Sequence, residues 1–262
     1  MGPTHLMKTS TLKPPFAWVG GKTKIAKEIV KRMPLHNTYA EVFGGSLAVL
    51  YAKERPCTKY TEVVNDSNSD LVNLHKIIQT RPQSLQMELQ RMLIGRDFFL
   101  ESLSKKPRNN IEKAALYYYS ISNSFGGMMS NYIIYKKTRS PKNIYKSFKV
   151  YAERLKKVNI ENMDFRKFIQ YYDDDLTLFY IDPPYVGTEG HYKNKKTFDL
   201  KDHNDLCEIL KGIKGKFLLS YNDCQLIRNL YKKFNLDTIS TFYSLNVKAI
   251  KKERKEVVIS NF

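Results

Sequence analysis

The sequence predicts an α/β fold, a mixed and mostly parallel sheet flanked by helices, carrying one mostly helical insertion. Three observations predict it. Short apolar runs of strand character alternate with helical patterns over residues 13–79, and a helix between strands is the connection that parallel pairs require. From about residue 80 to 160 the alternation stops, and apolar residues keep helical spacing in a stretch rich in Tyr and Lys. Strand-like runs return from about residue 161. The α/β body is accordingly expected over 8–79 and 161–262, with the insertion over 80–160.

Taken in order, residues 22–32 place Ile25, Ile29 and Val30 at helical spacing. Residues 38–43 read as a strand that runs into the turn Gly44-Gly45-Ser46 and a helix over 47–53. The strand 61–64 stops at Asn65-Asp66, and Ser69 is placed to cap a helix carrying Leu71, Leu74, Ile77 and Ile78. The insertion is broken by Asn123-Ser124-Phe125-Gly126-Gly127. Strands are expected again at 176–181, 216–221, near 238–245 and at 256–260.

Charge narrows the choice of partner. Lys and Arg number 44 against 26 acids, a formal charge of +18, and the excess runs through 105–157 and 193–196. Such a field favours a polyanion. No apolar stretch approaches the roughly 18 residues of a membrane span, and no basic amphipathic helix stands out, so nucleic acid is the better partner. Lys136, Lys137, Arg139, Lys142 and Lys146 suit phosphate contacts, which supply affinity without reading sequence. Cys57, Cys207 and Cys224 have neither metal nor disulfide spacing and the histidines are scattered, so no metal site and a reducing, cytoplasmic setting are expected.

The densest chemistry lies at Asp182-Pro183-Pro184-Tyr185, directly after the apolar run 176–181. Neither proline carries a backbone N–H and both fix φ, so nearby carbonyls can be held toward a ligand. A carboxylate, a fixed carbonyl and a flat ring at a strand's carboxyl end suit a planar amine that donates two hydrogen bonds. The exocyclic nitrogen of adenine is the best match. For the tetrapeptide alone, the plain alternative is a strand ending in a Pro-Pro turn.

Before the insertion, Glu41-Val42-Phe43-Gly44-Gly45-Ser46 sets glycines in a strand-to-helix turn, where bare backbone can approach a ligand closely. Asp66 lies 25 positions beyond Glu41 and follows the next strand, where an α/β fold hydrogen-bonds ribose hydroxyls. Helix capping is its alternative role. Gly20-Gly21-Lys22-Thr23 looks superficially like a triphosphate loop, but Trp18 and Val19 precede it and the earlier glycine is missing. A nucleoside cofactor without a phosphate chain is therefore expected. A sulfonium fits, since rings such as Trp18 and Phe43 attract its positive charge.

Together these segments resemble the Dam-type N6-adenine DNA methyltransferases, the group whose cofactor motif precedes the catalytic motif. Phe16-Ala17-Trp18-Val19-Gly20-Gly21-Lys22 is similar to the family's amino-terminal motif, which contacts the methionine part of S-adenosylmethionine. Residues 41–46 resemble its glycine motif and 64–74 its ribose motif. Asp164-Phe165 resembles the pair that holds the cofactor's adenine, the tetrapeptide at 182–185 resembles the catalytic motif, and Ser220-Tyr221-Asn222-Asp223 resembles a later motif beside the base pocket. Order and spacing match over nearly the whole chain. Two positions depart: Val42 stands where the family commonly has Pro, and Leu47 where a further glycine is frequent. The resemblance implies a Rossmann-like, S-adenosylmethionine-dependent methyltransferase fold whose insertion is a target-recognition domain. It also implies double-stranded DNA as substrate and a monomer or loose dimer, and it leaves room for a separate restriction endonuclease as partner.

On that reading Asp182 and the Pro183 carbonyl each accept one N–H of the adenine amine, so that its lone pair points at the methyl group. Tyr185 stacks on a base rotated out of the duplex. Tyr192 and Lys193 lie in a polar loop that could close over the base or simply be solvated. An RNA base or a protein glutamine would be methylated by similar chemistry, although such enzymes more often carry Asn where Asp182 stands; cytosine N4 is a target that the same chemistry leaves open. A catalytically inactive DNA-binding protein is expected to have lost the tetrapeptide or the ribose acid, and both are intact.

Overall fold

The computed structural model describes residues 8–55, 59–133, 143–187, 198–243 and 252–262. Its strands form one sheet: β1 (Thr38–Glu41), β2 (Thr61–Asn65), β3 (Val158–Glu161), β4 (Thr177–Ile181), β5 (Lys216–Asn222), β6 (Asn235–Tyr243) and β7 (Lys252–Ser260). Their spatial order is β3-β2-β1-β4-β5-β7-β6. The first five pair in parallel, and β7 runs antiparallel between β5 and β6. This is the Rossmann-like methyltransferase architecture that the sequence led us to expect.

Strand register explains the two cores. β4 is buried at every position, as expected of a parallel strand covered on both faces. Tyr39, Leu178 and Tyr180 point into one core, while Ala40, Phe179 and Ile181 point into the other. The first face is covered by α1 (Ala26–Lys31), α2 (Ala48–Ala52) and α3 (Ser69–Thr80). The insertion helices α4 (Pro82–Gln90), α5 (Arg96–Ser104), α6 (Asn110–Ser122) and α7 (Lys149–Leu155) lie on that same face. The second face is covered by α8 (Phe165–Tyr172), α9 (Leu200–Gly212) and α10 (Gln225–Leu230).

Some boundaries differ from the sequence reading, each for a local reason. Among the described residues the insertion shares the core of the body: Leu85, Leu89, Phe99, Tyr119 and Leu155 join the cluster that holds Leu71 and Leu74 of α3. β3 starts three residues inside the stretch read as insertion, because four residues with only Val158 fully buried give too weak an alternation to notice. The cap of α3 is Asn68 and not Ser69; its side chain accepts from the Asp70 and Leu71 amides at 3.2 and 3.3 Å. β6 begins at Asn235 and β7 at Lys252, both earlier than their apolar residues imply.

Strand order reverses between β1 and β4. In an open α/β sheet, the crevice outside the carboxyl ends of the strands at such a switch point is where ligands bind. Glu41 ends β1, and the tetrapeptide follows β4.

Candidate active site

Asp182 leaves the sheet directly after β4, and its carboxylate is met by Lys22. The Lys22 Nζ lies 2.7 Å from Asp182 Oδ1 and 2.9 Å from Oδ2, and Ser220 Oγ of β5 donates to Oδ1 at 3.2 Å. Burial pushes the Asp182 carboxyl above the usual range, while Lys22 and Ser220 pull it back toward the ionised form. Lys22 reaches this place because Gly20, at φ +72°, turns the chain ahead of α1; the Gly20 carbonyl accepts from Nζ at 2.8 Å. The same ammonium sits 4.6 Å from the centroid of the Tyr185 ring and 3.9 Å from Glu256 Oε2. Glu256 is buried on β7, in register with Asn222 at the end of β5. Tyr185 lies 6.0 Å, centroid to centroid, from Tyr221. Burial, with Asp182 and Glu256 beside it, raises the Tyr185 phenol well above its usual pKa.

The glycine turn forms the facing wall. Gly44 N–H donates to the Asn65 carbonyl at 2.7 Å, and a Cβ on Gly44 would come within 2.9 Å of Leu47 and 3.1 Å of that carbonyl. Gly45, at φ +51°, donates its N–H to Asp66 Oδ2 at 3.0 Å, and its carbonyl accepts from His75 Nε2 at 2.8 Å. Buried and apolar-packed, His75 has its pKa lowered to about 4, so its ring is neutral at ordinary pH. Trp18 closes over the turn: a Cβ on Gly45 would meet its ring at 2.9 Å. Leu47, standing where the resembled family frequently has glycine, adopts the left-handed conformation itself (φ +59°). Its side chain is buried, and that burial offsets the roughly 1–2 kcal/mol which a Cβ costs in this region. The turn is thus preserved despite the departure in sequence.

Asp66 is not the cap of α3. Its Oδ1 accepts from the Asn68 amide at 2.8 Å while Oδ2 holds Gly45, so it ties the glycine turn to the start of the helix. Glu41 is fully buried and accepts from Tyr39 OH at 2.8 Å. Burial pushes its pKa up to about 8; the Asp182 charge adds to this and the Tyr39 hydrogen bond opposes it. Asp164 caps α8, accepting from the Arg166 amide at 2.9 Å and pairing with the Arg166 guanidinium. The Phe165 ring lies 5.6 Å from Phe43 and 5.5 Å from Phe198, which gives this side of the crevice an aromatic lining.

The insertion touches the site through residues 15–18. Tyr118 OH donates to the Pro15 carbonyl at 3.2 Å, and Gly127 packs so closely that a Cβ would stand 2.8 Å from the Ala17 carbonyl. Lys146, read as a phosphate contact, donates to that same Pro15 carbonyl at 2.6 Å. Lys136, Lys137, Arg139 and Lys142, together with Tyr192 and Lys193, lie outside the described residues. Among the described residues there is no acid, His or Cys cluster fit to hold a metal, and no helix is long and apolar enough to cross a membrane.

The structure therefore brings together Trp18, Gly20, Gly21, Lys22, Glu41, Gly44, Gly45, Asp66, Asp182 and Tyr185, with Phe43, Asp164 and Phe165 to one side. Sequence reasoning missed His75, Glu256 and the pairing of Lys22 with Asp182. Two signals were present: a histidine inside the apolar series Leu71, Leu74, Ile78, and a lone acid heading the run Val257-Val258-Ile259.

Fold and site define an α/β protein whose polar residues gather at the switch point of the sheet. Comparison with known families is more specific. Residues 18–245 match the D12 class N6 adenine-specific DNA methyltransferase family, and the chain belongs to that family. It is an adenine-specific DNA methyltransferase, and as such requires a methyl donor. Among relatives, the Escherichia coli retron Ec67 DNA adenine methylase is 26% identical over 255 residues, which cover 88% of this chain and 85% of the relative. The type II methyltransferase M.CviBI of Paramecium bursaria Chlorella virus NC1A is 26% identical over 232 residues, covering 84% and 86%.

Proposed function

We propose that this chain transfers the methyl group of S-adenosylmethionine to the exocyclic N6 of an adenine rotated out of duplex DNA, with Asp182 as the group that receives the amine. The observation that carries the reading is the Asp182 carboxylate itself. It stands just beyond β4 at the switch point, with the Lys22 ammonium against both of its oxygens.

The residues present fit this cofactor. Asp66 offers a carboxylate for ribose hydroxyls, the Gly44-Gly45 turn gives close backbone approach, and Phe43 and Phe165 offer faces for an adenine ring. Trp18, Glu41 and Lys22 lie where the methionine portion would be held. When bound, the sulfonium supplies an electrophilic methyl group. Asp182 accepts one N–H of the target amine, and the Pro183 carbonyl is the natural acceptor for the other. Two acceptors draw the nitrogen toward tetrahedral geometry and aim its lone pair, an orientational and electrostatic effect. Tyr185 provides the ring on which the extruded base stacks. The basic segment that includes Lys136, Lys137, Arg139, Lys142 and Lys146 supplies phosphate contacts, and the insertion reads the target motif. The same reading covers a modification enzyme working beside a separate restriction endonuclease and a solitary methylase; one relative is named a type II methyltransferase and another a retron DNA adenine methylase.

Transfer of tritiated methyl from S-adenosylmethionine to unmethylated bacterial DNA tests the reading. Asp182→Ala is expected to lower the rate by about 10²–10³, as loss of a pre-organised polar partner of the transition state does. Near-normal turnover in that variant would sink the assignment.

A further inference from the structure

Lys22 is almost wholly buried, and a buried ammonium needs a counter-charge wherever it sits. It now occupies two places that an incoming base must use. One is the Asp182 carboxylate, both of whose oxygens it contacts at 2.7 and 2.9 Å; the other is the face of the Tyr185 ring, 4.6 Å from the centroid. A second carboxylate stands close by. Glu256 Oε2 is 3.9 Å from Nζ, too far for a hydrogen bond but within a turn of the terminal bonds of the lysine. Glu256 belongs to none of the motifs that mark the site, yet it is 4% exposed in the middle of β7, where it lies beside both the Tyr185 phenol and the Lys22 ammonium. The Gly20 carbonyl, 2.8 Å from Nζ, offers a pivot about which the ammonium can swing.

We infer that Glu256 is a positioning residue of methyl transfer: it receives the Lys22 ammonium when the target amine takes the place of Lys22 on Asp182. The inference rests on the reading of Asp182 given above. In this arrangement one cation serves two carboxylates in turn. On Asp182 it provides the counter-charge of that carboxylate, and on Glu256 it leaves the Asp182 oxygens and the tyrosine face to the base.

The test is single-turnover methyl transfer to unmethylated bacterial DNA by the unsubstituted protein, Glu256→Gln, Glu256→Asp and Asp182→Ala, each checked for S-adenosylmethionine affinity and melting temperature. Glu256→Gln is expected to lower the saturated rate roughly tenfold while KM for DNA and cofactor affinity change less than about twofold, because only the step in which Lys22 moves is affected. Glu256→Asp keeps the charge and is expected to recover part of that rate. Full activity in Glu256→Gln with an inactive Asp182→Ala protein overturns the inference and leaves the reading of Asp182 standing. Equal losses in the Gln and Asp variants, accompanied by a lowered melting temperature, also overturn it, since Glu256 would then serve folding alone. An active Asp182→Ala protein removes the reading of Asp182 and the inference together.

Discussion

The sheet carries a buried lysine–carboxylate cluster near each end of its parallel strands, and the two differ in the sign of their surplus charge. Near the amino ends, Lys53 Nζ donates to Glu62 Oε1 at 2.5 Å and Arg154 donates to Glu62 Oε2 at 2.6 Å, so two cations share one acid. Arg154 also donates to the Leu50 carbonyl at 2.9 Å, and Lys53 to Tyr60 OH at 3.3 Å. Burial pushes Lys53 down to about 8, with Glu62 opposing, while its two cations hold Glu62 below the usual carboxylate range against the effect of burial. At the carboxyl ends one cation, Lys22, faces two acids, Asp182 and Glu256. The first cluster spends its acceptor capacity on its own donors and can only hold helices and strands together. The second carries more acid than cation, at the carboxyl ends of the strands where the switch point offers a ligand its place. On the proposed reading, similar residue types do structural work at one end and chemical work at the other.

The contrast can be broken most forcefully at Glu62. Glu62→Ala leaves Lys53 and Arg154 buried without their acid and is expected to destabilise the fold by about 3–5 kcal/mol, while methyl transfer per folded molecule is unchanged. Thermal melting paired with activity at low temperature measures both; a catalytic defect without destabilisation would dissolve the distinction between the clusters. Asp66→Ala should act at the other end alone. It removes the acceptor proposed for the ribose hydroxyls and frees the Gly45 and Asn68 amides, so S-adenosylmethionine affinity measured by calorimetry is expected to fall by about 1–3 kcal/mol, with a smaller loss of melting temperature than Glu62→Ala causes.

A pH series refines the comparison. Glu41 has its pKa raised to about 8 from an ordinary 4.5, so the fold favours its neutral form. The stability it contributes is complete below about pH 4.5 and is lost as pH rises through about 8. Glu41→Gln stays neutral, so the melting temperature of the variant relative to the unsubstituted protein should climb across that interval; a constant difference would contradict the raised pKa. The smallest effect is expected at Leu47. Both Leu47→Ala and Leu47→Gly lose a buried side chain, but the glycine variant should be the more stable by about 1 kcal/mol, because only glycine is unstrained at φ +59°. The opposite order in denaturant unfolding would rule out a left-handed residue there.

Much of this site was legible in the sequence because its signals are local. A continuous apolar run ending in Asp182-Pro183-Pro184-Tyr185, glycines after a strand, and Asp66 after the next strand are each readable within a few residues. β4 was legible for the same reason. That the insertion shares the core of the body was not, since helical periodicity shows which face of α6 is apolar but not that α3 is its partner. Nor were the charge pairs: Lys22 and Asp182 stand 160 positions apart, and only the closing of the sheet between β1 and β4, then β5 and β7, brings Lys22, Asp182 and Glu256 to one point. At Leu47 the sequence pointed the other way, because a leucine gives no hint that the backbone beneath it is left-handed.

The most direct measurement is single-base mapping of modified bases in DNA from a methylation-free bacterial host that expresses either this chain or its Asp182→Ala variant. The account predicts N6-methyladenine at one short motif with the unsubstituted chain and none with the variant. N6-methyladenine that persists in the variant, or its absence from both, would contradict it.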